Sequence, residues 1–233
     1  MQAVHFDDPN SSQSHFNQLE ITNSSTLGVT FATQAIVTNQ LYATTTPLIN
    51  SDNVVISGGA FIAQGSWNYD LTVNGASGSW LLSRNQTITH NLYVEGASLD
   101  LNGQTLTVEG DLIHSGGSLT LNGGTLIVKG DYRNQTITDD GAGNLSYSAG
   151  VGRLIMTNVA DYMLVQGDFV MDYNYSHSNY LTAGTLELKG DFTQLSTGSS
   201  GYPNYADDNF KTSGTHKVLL SGGTMQAVHF DDP

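Results

Sequence analysis

The 233-residue chain carries 21 acidic against 7 basic residues, a formal net charge of −14, which sets it against the phosphate backbone of nucleic acid and against anionic membrane surfaces. Only 12% of residues are Asp, Glu, Lys or Arg, while 26 are Gly and 4 are Pro; with Thr, Ser and Asn supplying the polar positions, this is the composition of a glycine-punctuated β protein. The absence of cysteine excludes disulfides and thiolate metal sites, and no run nears the roughly 20 apolar residues of a helical membrane span.

In chain order, the first segment, Met1 to Pro9, reads MQAVHFDDP, and the last, Met225 to Pro233, reads the same. Identity over nine residues that include Met, Gln, His and Phe is too specific for chance, so the chain has a period of 224 residues. The expectation is one repeat unit over residues 1–224 and the start of the next over 225–233, with Met1 not an initiator. Neither a signal peptide nor an anchor is read in this piece, because the first residues lack a basic region followed by an apolar stretch.

Residues 27–86 follow no clear register. From Ser98 a shorter repeat takes over: SLDLNGQTLTVEGDLI (Ser98 to Ile113) matches SLTLNGGTLIVKGDYR (Ser118 to Arg133) at an offset of 20 residues. Leu99, Leu101, Leu106 and Val108 alternate with Asp100, Asn102, Thr105 and Thr107, the period of half-buried strands. The ending recurs as MLVQGDFV and GTLELKGDFT, giving Gly-Asp corners at Gly110-Asp111, Gly130-Asp131, Gly167-Asp168 and Gly190-Asp191. Gly tolerates tight corners and Asp hydrogen-bonds nearby backbone.

Strand, corner, strand, repeated about every 20 residues, predicts an all-β fold: a β-solenoid, a right-handed parallel β-helix of stacked coils. Leu101, Leu121, Val108, Val128 and Leu188 are expected in its apolar column, with Leu101 over Leu121 and Glu109 beside Lys129. Residues 141–152 and 196–209 break the pattern and are read as loops leaving the coil. Near the end, GTHKVLLSGGTMQAVHF joins two strand-like runs across a Ser-Gly-Gly turn, so the duplicated segment continues a pattern already under way.

The segments TAGTLELKGDFTQ, FKTSGTHKVLLSGGTMQAVHFDDP and SHFNQLEITNSS resemble repeat regions of very large bacterial surface and extracellular proteins of the β-solenoid type, fibres or adhesins. The resemblance runs from Ser98 onward and across the repeat junction into the first 25 residues. It implies an exported, extracellular or cell-surface structural protein and carries no catalytic residues.

Site candidates are sparse. The corner aspartates form a potential ladder of calcium ligands, but the dense glycine-aspartate nonapeptide of calcium-binding solenoids is absent, and bonding to backbone is the preferred reading. The pairs Asp7-Asp8, Asp139-Asp140 and Asp207-Asp208 are isolated calcium candidates that also read as solvated turns. Tyr173, Tyr175, Tyr180, Tyr202 and Tyr205 are candidates for stacking on sugar rings, or for packing between coils; Trp67 and Trp80 fit either role. Histidines at 5, 15, 90, 114, 177, 216 and 229 lack metal-ligand spacing, and Arg84, Arg133 and Arg153 mark no acid–base cluster. The Thr-rich stretches lack the regular array of an ice-binding surface, and sequons such as those at Asn10, Asn23, Asn85, Asn134 and Asn144 are what such a composition gives by chance.

The sequence thus points to a structural, non-catalytic unit of an extracellular filament or stalk, whose partner is itself, end to end, and which makes no direct contact with nucleic acid or membrane. The alternatives are an adhesin that binds surface polysaccharide through its Tyr-rich loops and a carbohydrate-active β-helix enzyme.

Overall fold

The computed structural model describes residues 84–198 and 208–231, together with 15–21, 71–73, 79–82 and strands at 2–4, 29–31, 35–43, 48–49, 54–56, 61–63 and 66–68. The described residues form strands and no helix, assembled into sheets of ten, four and twelve strands in which strand order follows chain order. Neighbours are parallel throughout, apart from one hairpin. The chain visits the sheets in rotation. Gln86–Ile88 lies in the ten-stranded sheet, Leu92–Val94 in the twelve-stranded and Ser98–Asp100 in the four-stranded; Thr105–Val108 then returns beside Gln86–Ile88. This arrangement is compatible with a β-helix.

The alternation in the sequence explains the core. In Thr105–Val108, Leu106 and Val108 are buried while Thr105 and Thr107 are half-buried on the outer face. Parallel in-register pairing then sets like on like: Ile88, Val108, Val128, Val165 and Leu188 follow one another across the ten-stranded sheet, none more than 3% exposed. Each such side chain contributes on the order of 1.5–3 kcal/mol by burial. The twelve-stranded sheet lines up Leu92, Leu112, Tyr132, Phe169 and Phe192, and here the column is aromatic, with ring centroids 4.9 Å apart for Tyr132 and Phe169 and 5.6 Å for Phe169 and Phe192. Leu101 and Leu121 are fully buried, as is Trp80 to within 1%.

Thr105 faces Thr125, 20 positions on, but Thr125 faces Tyr162, Tyr162 faces Thr185 and Thr185 faces Lys217. The longer steps hold insertions. One departs from the expected loop at 141–152: Tyr132–Asp139 runs past the sheet and pairs antiparallel with Leu145–Ala149. The physical reason lies in the alternation of Thr136, Ile137 and Thr138 against Ser148, Tyr147 and Ser146, a strand pattern, around a turn where Gly141 and Gly143 take φ of 79° and 85°. Of the second expected loop, 196–209, residues 199–207 lie outside the described part.

The two copies of the nonapeptide sit in different sheets. Gln2–Val4 pairs with Val29–Phe31 in the ten-stranded sheet, whereas Val228–Phe230 pairs with Phe192–Gln194 in the twelve-stranded one, just after Lys217–Leu220 has joined the ten-stranded.

Candidate functional site

The Gly-Asp corners form a continuous hydrogen-bonded ladder. The backbone N–H of Asp111 donates to Asn91 Oδ1 (2.8 Å), that of Asp131 to Asp111 Oδ1 (2.8 Å), that of Asp168 to Asp131 Oδ1 (2.8 Å), that of Asp191 to Asp168 Oδ1 (2.9 Å), and that of Ala227 to Asp191 Oδ1 (2.8 Å). Each carboxylate satisfies a corner N–H that no strand partner reaches. The glycines make room for it: a Cβ at Gly110, Gly130, Gly167 or Gly190 would meet the Oδ1 of the corner beneath at 2.3, 2.2, 2.4 or 2.7 Å, with backbone of that corner also within 3 Å. The dipeptide is therefore a stacking device in which Gly admits the neighbour's carboxylate and Asp caps the next corner.

Beside the ladder, Lys129 Nζ lies 2.5 Å from Glu109 Oε2 on a solvent-exposed face, a cross-strand pair of a few tenths of a kcal/mol. Further along, Glu187 accepts from Tyr162 (2.7 Å) and Ser221 (2.6 Å) and pairs with Lys189 (2.8 Å). The bonds from Lys189, Ser221 and Tyr162 hold its carboxyl down at about 2.

The acidic pairs are occupied with their own turns. Asp139 accepts the N–H groups of Gly141 and Gly143, and Asp140 those of Ala142 and Asn144 together with the Asn144 amide. Asp208 pairs with Lys211 at 2.7 Å; Asp7, Asp8 and Asp207 lie outside the described residues. Among the described residues no three His, Asp or Glu side chains converge as a metal site would require.

The tyrosines part company. Tyr173 is 3% exposed and packs on Tyr175 and His177, with ring centroids 5.6 and 4.2 Å away. Tyr175 is 48% exposed, and Tyr180 is half-buried beneath the Arg153 guanidinium, 4.6 Å from its ring. Tyr202 and Tyr205 fall outside the described residues, as does the side chain of Trp67. Of the sequons, Asn134 is fully buried with its amide donating to the Gly152 carbonyl at 2.7 Å, which removes it as a glycan acceptor in the folded chain.

Sequence reasoning missed a buried polar layer. His114 Nδ1 lies 3.0 Å from the Tyr132 hydroxyl, and both side chains are fully buried. His177 accepts the Leu154 N–H at Nε2 (3.2 Å), so its proton is on Nδ1, which donates to the Asn209 carbonyl at 2.7 Å. Burial lowers His114 to about 3, reinforced by His177 and opposed by the carbonyls of Gly116 and Gly117; burial likewise lowers His177 to about 4. Both are neutral hydrogen-bonding groups of the interior. A His at an inward strand position, in LIH where its neighbours are Leu and Ile, was the available signal.

The last two strands form the other distinctive surface. Val218, Leu220, Val228 and Phe230 are 37%, 44%, 50% and 54% exposed, and Met225 is 96% exposed. Their register partners Leu186, Leu188 and Phe192 are at most 3% exposed. The aromatic column continues into this edge, Phe192 lying 5.1 Å from Phe230 and 4.8 Å from Phe210. No family model, curated protein or solved structure matches the chain.

Proposed function

We propose that the chain is a structural, non-catalytic unit of an extracellular filament or stalk, in which 224-residue units follow one another head to tail. In this reading the three sheets are the faces of a right-handed β-solenoid with a basic coil of about 20 residues, lengthened by insertions. The carrying observation is the terminal edge. Side chains that belong to the apolar columns stand uncovered at Lys217–Leu220 and Val228–Phe230, and the latter strand lies inside a copy of the chain's own first nine residues. An exposed edge of this kind is a template for further strands. The cover that the sequence supplies is the next copy of the unit, so the partner is the protein itself.

The mechanism is mechanical. Corner carboxylates and main-chain bonds tie each layer to the next, and a dry column of Leu, Val and Phe resists water entry. The outward Thr, Ser and Asn residues with net negative charge limit lateral association. The mass of the fully denatured native chain tests this reading: several multiples of the 224-residue unit support it, and a lone 24.9 kDa species that stays monomeric when refolded overturns it.

A further inference from the structure

The hairpin of Tyr132–Asp139 and Leu145–Ala149 rises beside the outer face of the twelve-stranded sheet, and between them lies a groove of about 440 Å³ lined by Tyr93, Glu95, Ile113, Ser115, Thr136, Ile137 and Val151. That volume falls in the range of small-ligand sites. We propose that this groove binds a neutral saccharide, a function independent of how the units are joined.

Three features of the lining carry the assignment. First, the lining sets apolar side chains beside hydroxyls and one carboxylate. Ser115 and Thr136 each donate and accept, and a carboxylate accepts from two adjacent hydroxyls at once; the Tyr93 ring offers a flat carbon surface to the C–H face of a sugar ring, and Ile137 and Val151 add apolar contact.

Second, charge excludes the anionic alternatives. Among the described residues Glu95 is the one charged side chain lining the groove, and its carboxyl is raised by partial burial. Arg133, the register neighbour of Ile113, is committed to Asp131 at 2.8 Å and lies over the Tyr147 ring. Among the described residues a uronate or phosphate would meet no uncommitted cation here.

Third, the floor strands Leu92–Val94 and Leu112–His114 are paired on both sides, so the floor offers no main-chain edge to an extended peptide. Recognition falls to side chains, and these suit a hydroxyl-rich ligand.

The test is isothermal titration of the intact chain with neutral linear tetrasaccharides (β-1,4-glucose, β-1,4-mannose, β-1,4-N-acetylglucosamine and α-1,4-glucose), with tetragalacturonate and tetralysine as charged comparators. At least one neutral sugar is expected to bind with Kd at or below about 1 mM. That affinity should fall by about tenfold or more in Tyr93→Ala and in Ser115→Phe, which fills the groove, and stay unchanged in Tyr175→Ala. Circular dichroism confirms that each variant is folded. No heat from any neutral sugar at about 10 mM, binding that survives both groove substitutions, or binding of tetralysine alone would each overturn the proposal.

Discussion

Replacing Gly130 with Ala is the sharpest perturbation of the corner ladder. The new methyl would lie 2.2 Å from Asp111 Oδ1 and 2.7 Å from the carbonyl carbon and oxygen of Gly110, where carbon contacts settle near 3.5–4.0 Å. The layers must therefore part by about 1 Å at that corner, an overpacking cost of about 1–3 kcal/mol. If Asp111 swings away instead, the bond from the Asp131 N–H to Asp111 Oδ1 is lost, and a hydrogen bond to a charged group is worth about 1.5–3 kcal/mol. Ala stiffens the unfolded chain and returns about 0.4–1 kcal/mol, leaving a net loss of about 0.5–2.5 kcal/mol on either route. For a chain of this size that lowers Tm by roughly 1–10 °C. Gly223, with nothing within 4 Å of its Cβ position, is the control, and Gly223→Ala should stay within about 0.5 kcal/mol of the parent. Urea unfolding followed by circular dichroism compares the two. Equal midpoints would refute the claim that glycine is there to admit the neighbouring carboxylate.

Asp168→Asn keeps the Oδ1 that accepts from Asp191 and should leave stability within about 0.5 kcal/mol, whereas Asp168→Ala should cost about 1.5–3 kcal/mol; a large loss in Asn, restored by calcium, would instead mark the corners as metal ligands. Phe192→Ala removes the ring between Phe169 and Phe230 and should cost about 3–5 kcal/mol, read by the same unfolding curves. The buried histidines set a pH dependence. His177 titrates near 6.5 when unfolded and about 4 when folded, and His114 falls to about 3, so the unfolded state binds the extra protons. Their contribution is complete above pH 6.5 and is lost as pH falls towards 4 and 3, at up to about 1.4 kcal/mol per pH unit for each histidine. His177→Gln should flatten the pH 4–6 stability profile by one such slope, and an unchanged profile would contradict the assignment.

The residues that made the fold legible were those that recur. Gly-Asp and the Leu-Val alternation after Ser98 announce stacked strands because in-register stacking requires the same residue type at the same place in each layer. Leu101, Leu121, Val108, Val128 and Leu188 are all fully buried, and Glu109 meets Lys129 as the 20-residue offset requires. What recurrence could not reveal is what happens once. The hairpin that interrupts one layer, the His114–Tyr132 contact inside it and the groove beside it depend on residues that appear in a single copy, and only their three-dimensional neighbours give them meaning. The tyrosines illustrate the limit. Tyr173 and Tyr175 lie two positions apart and, as a sequence, look alike, yet one is in the core and the other on the surface, because the segment that holds them lies outside any repeat.

The central claim is that one unit's terminal edge is covered by the next. The most direct measurement is a cryo-electron microscopic structure of a chain carrying two consecutive 224-residue units. The ten strands that follow one another along each long sheet, at about 4.8 Å per strand, make one unit roughly 50 Å long. The account predicts a single straight rod of roughly 100 Å with both long sheets unbroken across the joint. In it, Val228–Phe230 stays paired to Phe192–Gln194, and Val218, Leu220 and Phe230 are buried beneath the second unit. Two bodies of roughly 50 Å at variable angles, with those side chains still in solvent, would contradict it.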